Sequence, residues 1–165
     1  MSNLTCSCGS AIAYSDCCEP LHLGVTFAQT AEALMRSRYT AFVRHKIDYI
    51  VATTTPFQQA LLDKTAIANW AEQTDWVKLE VIKHTPKMGK HHAQVEFKAY
   101  FNTAHGQDHH HELSSFVKIA QAKNAQNSEP RWYFLDPTVA MSVTQKQPCP
   151  CASGEKYKRC CGQFL

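Results

Sequence analysis

All eight cysteines of the chain fall at its two ends, as Cys6, Cys8, Cys17 and Cys18 and as Cys149, Cys151, Cys160 and Cys161. Both sets read C-x-C-x8-C-C. Superposing the copies also aligns Ser10 with Ser153 and Tyr14 with Tyr157, so the repeat extends beyond its cysteines. Each segment is too short to bury a core of its own, yet it offers four soft ligands, the number a tetrahedral zinc ion takes. Cys-x-Cys presents two thiols from one tight turn, and the adjacent pair closes the site after a loop of eight. The spacing predicts two zinc ions per chain, each held by its own four sulfurs, with metal binding folding each knuckle. A saturated tetrahedron leaves no open position for water, so these sites read as structural. A disulfide framework fits less well, because adjacent cysteines pair poorly with each other. A redox dithiol would show C-x-x-C beside a βαβ unit, which this sequence lacks.

The first 24 residues carry neither the basic flank nor the apolar run of a secretory signal, and no apolar run approaches the roughly 20 residues of a membrane helix. The expected setting is therefore the cytoplasm, without membrane insertion. A formal charge of +3 is too weak to imply nucleic acid by itself.

Between the motifs the hydrophobic period changes once. Thr30 is placed to cap a helix running to about Arg44, whose Leu34, Met35, Tyr39, Phe42 and Val43 form one stripe with Arg38 beside it. Ile47, Ile50 and Val51 before Pro56 predict a second short helix, and Ile67, Trp70 and Ala71 a third over 64–74. After Trp76 the period becomes two, in runs at 77–81, 93–101, 113–119 and 131–135, with Gly89 and Gly106 in the turns expected between them. Helices first and an antiparallel meander afterwards predict an α+β fold, with helices packed on one face of a curved sheet.

The segment CPCASGEKYKRCCG at 149–162 resembles the SEC-C motif, the zinc knuckle at the carboxyl end of the SecA preprotein translocase ATPase. CSCGSAIAYSDCCEP at 6–20 resembles a second copy, with Ala-Ile-Ala where the other has Gly-Glu-Lys. A copy at each end, with RSRYTAF at 36–42 and Trp132-Tyr133 between them, resembles the YchJ family, also called UPF0225. The resemblance implies an NTF2-like cone at 25–147, flanked by knuckles at 1–24 and 148–165. It also implies a partner in the ribosome or the secretion and chaperone machinery.

Two candidate sites follow. In the cone, Arg38, Glu96, Tyr100, His111 and Glu112 are the polar residues able to face a pocket for a small ligand. A glutamate there with a raised pKa, Glu96 or Glu112, would serve an isomerase, dehydratase or hydrolase as base. The plainer reading pairs Arg38 with a glutamate or leaves the glutamates on the outer sheet face. The run His109–His111 splays its side chains to alternate faces and cannot converge on one ion. At the second knuckle, Lys156, Lys158 and Arg159 crowd around Tyr157, whereas Asp16 and Glu19 flank the first cysteine pair. Only the second knuckle looks suited to an acidic protein surface or RNA. The expected function is a zinc-binding adaptor rather than a catalyst, with a core that folds without its knuckles.

Overall fold

In the computed structural model, which describes residues 4–125 and 127–165, helices precede strands along the chain. The helices are α1 (Glu19–His22), α2 (Ala31–Val43), α3 (Ile47–Ala52), α4 (Pro56–Gln59) and α5 (Lys64–Gln73). They are followed by β1 (Asp75–Met88), β2 (His92–Thr103), β3 (Gly106–Ile119) and β4 (Arg131–Leu135), an antiparallel meander in the order β1-β2-β3-β4. Among the described residues no helix is long and apolar enough to cross a membrane.

Local chemistry sets the helix ends. The Thr30 hydroxyl accepts from the Ala33 amide, and the Asp63 carboxylate from the Ala66 amide, each at 3.0 Å. At the other end of α2, His45 takes a left-handed φ of 56°, its amide bonds Phe42 O, and the Lys46 amide reaches back to Ala41 O. That pair of bonds is a Schellman closure on a non-glycine residue. Pro56, expected only to end α3, opens the single turn of α4, where its missing N–H costs nothing.

Helix α2 buries more than one stripe. Leu34 and Met35 pack on Ala93, Val95 and Phe116 of the sheet, yet Ser37, Arg38 and Thr40 are buried too. The amino-terminal knuckle covers Thr40, while α3 covers Ser37 and Arg38. The far end of β3 is also enclosed on both faces. Phe116 points to the helices, while Val117 and Ile119, with Leu135 of β4, meet the carboxyl-terminal knuckle. The sheet is therefore covered by helices on one side and, at this end, by the knuckle on the other.

The strands outrun their periodic stretches. Register shifts at Trp76/Lys78, Val81/Lys83 and Thr85/Met88 break the alternation of β1, and such bulges bend a strand. The bent sheet is closed beside β4 by the segment after α3: the Thr55 amide bonds Phe134 O at 2.9 Å, and the Phe134 amide bonds Thr53 O at 2.8 Å. The result is the expected α+β cone.

Gln58 of α4 latches this closure. It is fully buried, its Nε2 donates to Asp136 O at 2.9 Å, and its Oε1 accepts from the Asp136 amide at 3.0 Å and from the Thr55 hydroxyl. Gln58→Leu keeps the volume but orphans the Asp136 amide and the Thr55 hydroxyl and leaves Asp136 O only the 3.4 Å bond from the Val139 amide. It should cost roughly 3 kcal/mol, about 10 °C in thermal midpoint, in a melt followed by circular dichroism.

Candidate metal centres and the core cavity

The two cysteine segments fold alike bond for bond. The Cys6 amide bonds Ile12 O at 2.7 Å, and the Cys149 amide bonds Glu155 O at 2.8 Å; Thr5 bridges Ala13 as Pro148 bridges Lys156. Each then makes a short 3-10 turn, Tyr14–Asp16 or Tyr157–Arg159, leading into the adjacent cysteines. Ser10 and Ser153 occupy equivalent places, 3.1 and 3.2 Å from the sulfurs of Cys17 and Cys160. Each loop contains two left-handed residues, Gly9 and Ala11 in the first and Ala152 and Gly154 in the second, with φ between 61° and 84°.

This loop gathers four sulfurs to within 4.8 Å of one another in each knuckle, and all eight cysteines are free thiols. The closest pairs are Cys8–Cys17 at 3.5 Å and Cys151–Cys160 at 3.4 Å. A tetrahedron with metal–sulfur bonds of about 2.3 Å has sulfur–sulfur edges of about 3.8 Å, so both clusters fit a metal ion. Their titration points the same way. Cys8 is drawn down to about 4, chiefly by a hydrogen bond from Cys18, while Cys18 is pushed far up by the same bond and by burial. In the second cluster Cys151 is lowered by bonds from Cys149 and Cys161, and burial lifts Cys160 to about 12. The first thiolate in such a cluster opposes the next, and a dication is what lets all four ionise.

The knuckles attach differently. The first docks on α2 through polar contacts: Ser7 Oγ donates to Thr40 Oγ1 at 3.2 Å, and Arg36 Nη1 to Cys8 O at 2.6 Å. Arg44 stacks over the Tyr14 ring at 3.5 Å. His22 accepts from the Tyr14 hydroxyl at Nδ1 and donates from Nε2 to Ser37 O, and burial holds its pKa down, consistent with a neutral ring. No basic residue sits within the first motif, but α2 brings two arginines to it. The second knuckle docks through apolar surface, with Cys149, Cys151, Tyr157, Cys160 and Cys161 in one cluster with Val117, Ile119 and Leu135. His92 Nε2 lies 3.4 Å from Cys161 Sγ, and Phe164 stacks on the His92 ring. Neither knuckle stands apart from the core.

The proposed partner-facing set divides. Lys156, Lys158 and Arg159 are exposed and, among the described residues, form no ion pair. Tyr157, expected as an exposed aromatic, is instead buried at 5% exposure. Its ring packs beneath Gly162, where any Cβ would come within 2.6 Å of the Tyr157 carbonyl oxygen.

The cone holds a cavity of about 370 Å³ between α2, α5 and the sheet. Its polar lining differs from the expected set because strand parity decides it. Glu112 and Arg38 face the cavity, but Glu96, Tyr100 and His111 do not line it. Glu96 pairs with His111 at 2.8 Å on the other face, and Tyr100 bonds Glu80. The histidine that enters is His110, which strand alternation leaves on the Glu112 face. His110 Nε2 lies 2.8 Å from Glu112, and Ser114 donates to the same carboxylate. Burial alone would raise the Glu112 pKa, but the bonds from His110 and Ser114 outweigh it and hold the carboxyl below its ordinary value. That corrects the general-base expectation for both glutamates: Glu96 is outside the cavity, and Glu112 is stabilised as the ion. Arg38 is buried, as its place beside the stripe suggested, but it makes no ion pair among the described residues.

Comparison with known proteins adds the lineage of both parts. A family described as "YchJ, middle NTF2-like domain" matches residues 30–137, and one described as "SEC-C motif" matches 146–163. A UPF0225 protein of Actinobacillus succinogenes is 48% identical over 160 residues, covering 97% of both chains. One from Haemophilus influenzae is 49% identical, covering 97% of this chain and 92% of its own. Among solved structures, a SEC-C motif containing protein from Psychrobacter arcticus superposes with a TM-score of 0.91 at 57% identity, covering 100% of this chain and 98% of that one. Another, from Rhodopseudomonas palustris, gives a TM-score of 0.67 at 36% identity, covering 81% and 96%.

The paired left-handed positions yield a test of the repeat. Ala11→Gly and Ala152→Gly relieve a Cβ held at positive φ, and each should raise stability by about 1 kcal/mol. Gly154→Ala should lower it by a similar amount, since its new Cβ meets nothing within 4 Å and the cost is backbone alone. Chemical denaturation of the metal-loaded protein measures all three.

Proposed function

The chain belongs to the YchJ (UPF0225) family, and from that premise we propose that it is a zinc protein of the cytoplasm acting as an adaptor. Its carboxyl-terminal knuckle would dock an acidic protein surface. The observation that carries this reading is the division of that knuckle into a buried side and a charged side. Four cysteines and Tyr157 turn inward, while Lys156, Lys158 and Arg159 turn outward on a 3-10 turn. The backbone beneath them is tied down by bonds from the Tyr157 amide to Gln147 O and from the Lys158 amide to Gln145 O. Cations on a fixed loop bind without the ordering cost of a floppy tail. With Tyr157 buried, no aromatic of the motif is left for base stacking, which favours an acidic protein over RNA. Eight free thiols suit a reducing compartment. The resemblance of the second knuckle to that of SecA is the ground for seeking the partner in the secretion, chaperone or ribosomal machinery.

Zinc is the ion proposed for both clusters, because four thiolates in a tetrahedron select it over harder cations. Elemental analysis should return two zinc ions per chain, and K-edge spectroscopy a first shell of sulfur alone. Stripping them should disturb more than the ends. Val117, Ile119 and Leu135 lose their cover with the second knuckle, so amide exchange at the end of β3 and in β4 should accelerate.

Reversing charge at Lys156, Lys158 and Arg159 should abolish partner capture in a pull-down while leaving zinc content and melting unchanged. Asp16 and Glu19 variants should retain capture. The captured material should survive nuclease treatment and release as salt rises. Loss on nuclease treatment would point to RNA instead.

A further inference from the structure

The cavity in the cone is separate from both knuckles, and its hydrogen-bonding groups are out of balance. Both of its carboxylates already hold donors from the protein. Glu112 takes bonds from His110 and Ser114, and Asp136 Oδ1 accepts from the Thr138 amide at 2.9 Å and hydroxyl at 2.6 Å. Not all of its donors are met. Arg38 uses one nitrogen for the protein: Nη1 donates to Ile50 O and Thr53 Oγ1, both at 2.7 Å, and to Thr54 Oγ1, closing the end of α3. Nε and Nη2 have no acceptor among the described residues, and neither is among the fully sealed, unpartnered nitrogens of the chain. Among the described residues His110 Nδ1 is likewise without a partner.

A buried guanidinium is ordinarily hydrogen-bonded to a carboxylate; Glu112 and Asp136 share this lining and favour the cation across it, but among the described residues neither bonds it. It stacks instead on the Phe134 ring, 4.5 Å from its centroid. Burial lowers its pKa to about 10, with Tyr49, Asp136 and Glu112 opposing the fall, so it stays charged at neutral pH. The surrounding wall is apolar and aromatic, with Trp70, Trp76, Phe97 and Phe116 among its members. Trp70, expected in the core, is 44% exposed and joins Trp76 and His110 edge to face, at ring-centroid distances of 5.5 Å. A cavity of this size with one cationic fork and an aromatic wall is the usual form of a small-ligand site.

We propose that the cone binds a small hydrophobic monocarboxylate, its carboxylate on the open edge of the Arg38 guanidinium and its apolar body against the tryptophan wall. The missing element is an acceptor with two oxygens, and the planar fork of arginine matches a carboxylate in two parallel bonds. A dianion is disfavoured, because Glu112 and Asp136 already place two negative charges in the lining. No bond is made or broken in this proposal; it assigns a binding site.

The test uses the full-length, metal-loaded protein with 4-phenylbutyrate and its neutral amide, 4-phenylbutanamide, followed by the indole N–H resonances of the three tryptophans. Saturable shifts are expected at Trp70 and Trp76 but not at Trp132, which lies outside this cavity. The acid should bind at least about tenfold more tightly than the amide. Arg38→Gln should erase that preference, and Ala99→Phe, which fills the cavity from the sheet, should abolish binding of both. Arg38 also holds the end of α3, so its variant is read only if its melting curve is cooperative; the acid-to-amide ratio on the unaltered chain decides without it. Equal affinity for acid and amide would overturn the proposal. So would shifts centred on Trp132, binding that persists in a folded Ala99→Phe protein, or no saturation with either probe into the millimolar range. Charge reversal at the knuckle leaves this site untouched, so the two readings fail independently.

Discussion

Four thiols held within 4.8 Å of one another cannot all be thiolates without a counter-charge, and they cannot pack closely while they repel. This constraint at each end of the chain organises what lies between. The first cluster rests on α2 and explains why that helix buries Ser37 and Thr40. The Thr40 hydroxyl meets Ser7 and Cys6 of the knuckle, and the Ser37 carbonyl meets His22. The second cluster rests on the outer face of the sheet and lets β3 bury consecutive residues from Ser114 to Val117. Without a cover at each place, the same sequence would expose polar donors on one side and Val117 on the other.

The architecture was legible because it rests on short-range signals. Thr30 and Asp63 cap their helices as their positions suggest, and alternation marks all four strands near their centres. What escaped is set by geometry that one sequence does not carry. The bulges in β1 end the visible alternation long before the strand ends. Face assignment in β3 depends on register with β2, where Phe97 opposes Glu112 and Lys98 opposes His111. A one-residue difference in parity therefore exchanged His111 for His110 in the cavity. The knuckle surroundings were hidden for a related reason. Arg36 and Arg44 reach the first cysteine loop from a helix far along the chain, and a search confined to the motif finds no cation there.

The two copies show how one metal-binding loop is fitted to different seats. Their cysteine loops share hydrogen bonds and left-handed positions, but they part immediately after the second cysteine pair. The first continues into α1, with Glu19 and Pro20 in its opening turn. The second makes a 3-10 turn over Cys161–Gln163, where Gly162 lies against Tyr157 too closely for a side chain. The seat follows from that exit. A helix carrying His22 turns the first knuckle toward the polar side of α2, while the tight turn brings Phe164 onto His92 and the apolar sheet face.

The same division bears on where charge is available. In the first knuckle the arginines serve internal contacts, Arg36 to a loop carbonyl and Arg44 to the Tyr14 ring. In the second the apolar seat needs no cation, and Lys156, Lys158 and Arg159 are left outside it. Arg38 is an intermediate case, lining the cavity with one nitrogen closing α3 and two without an acceptor among the described residues. A buried cation with unfilled donors costs stability unless something meets it, and here an aromatic ring stacks on it while the lining carboxylates Glu112 and Asp136 act only across the cavity. The fold thus presents one cationic face at its surface and one cationic fork in its interior, on elements that do not overlap.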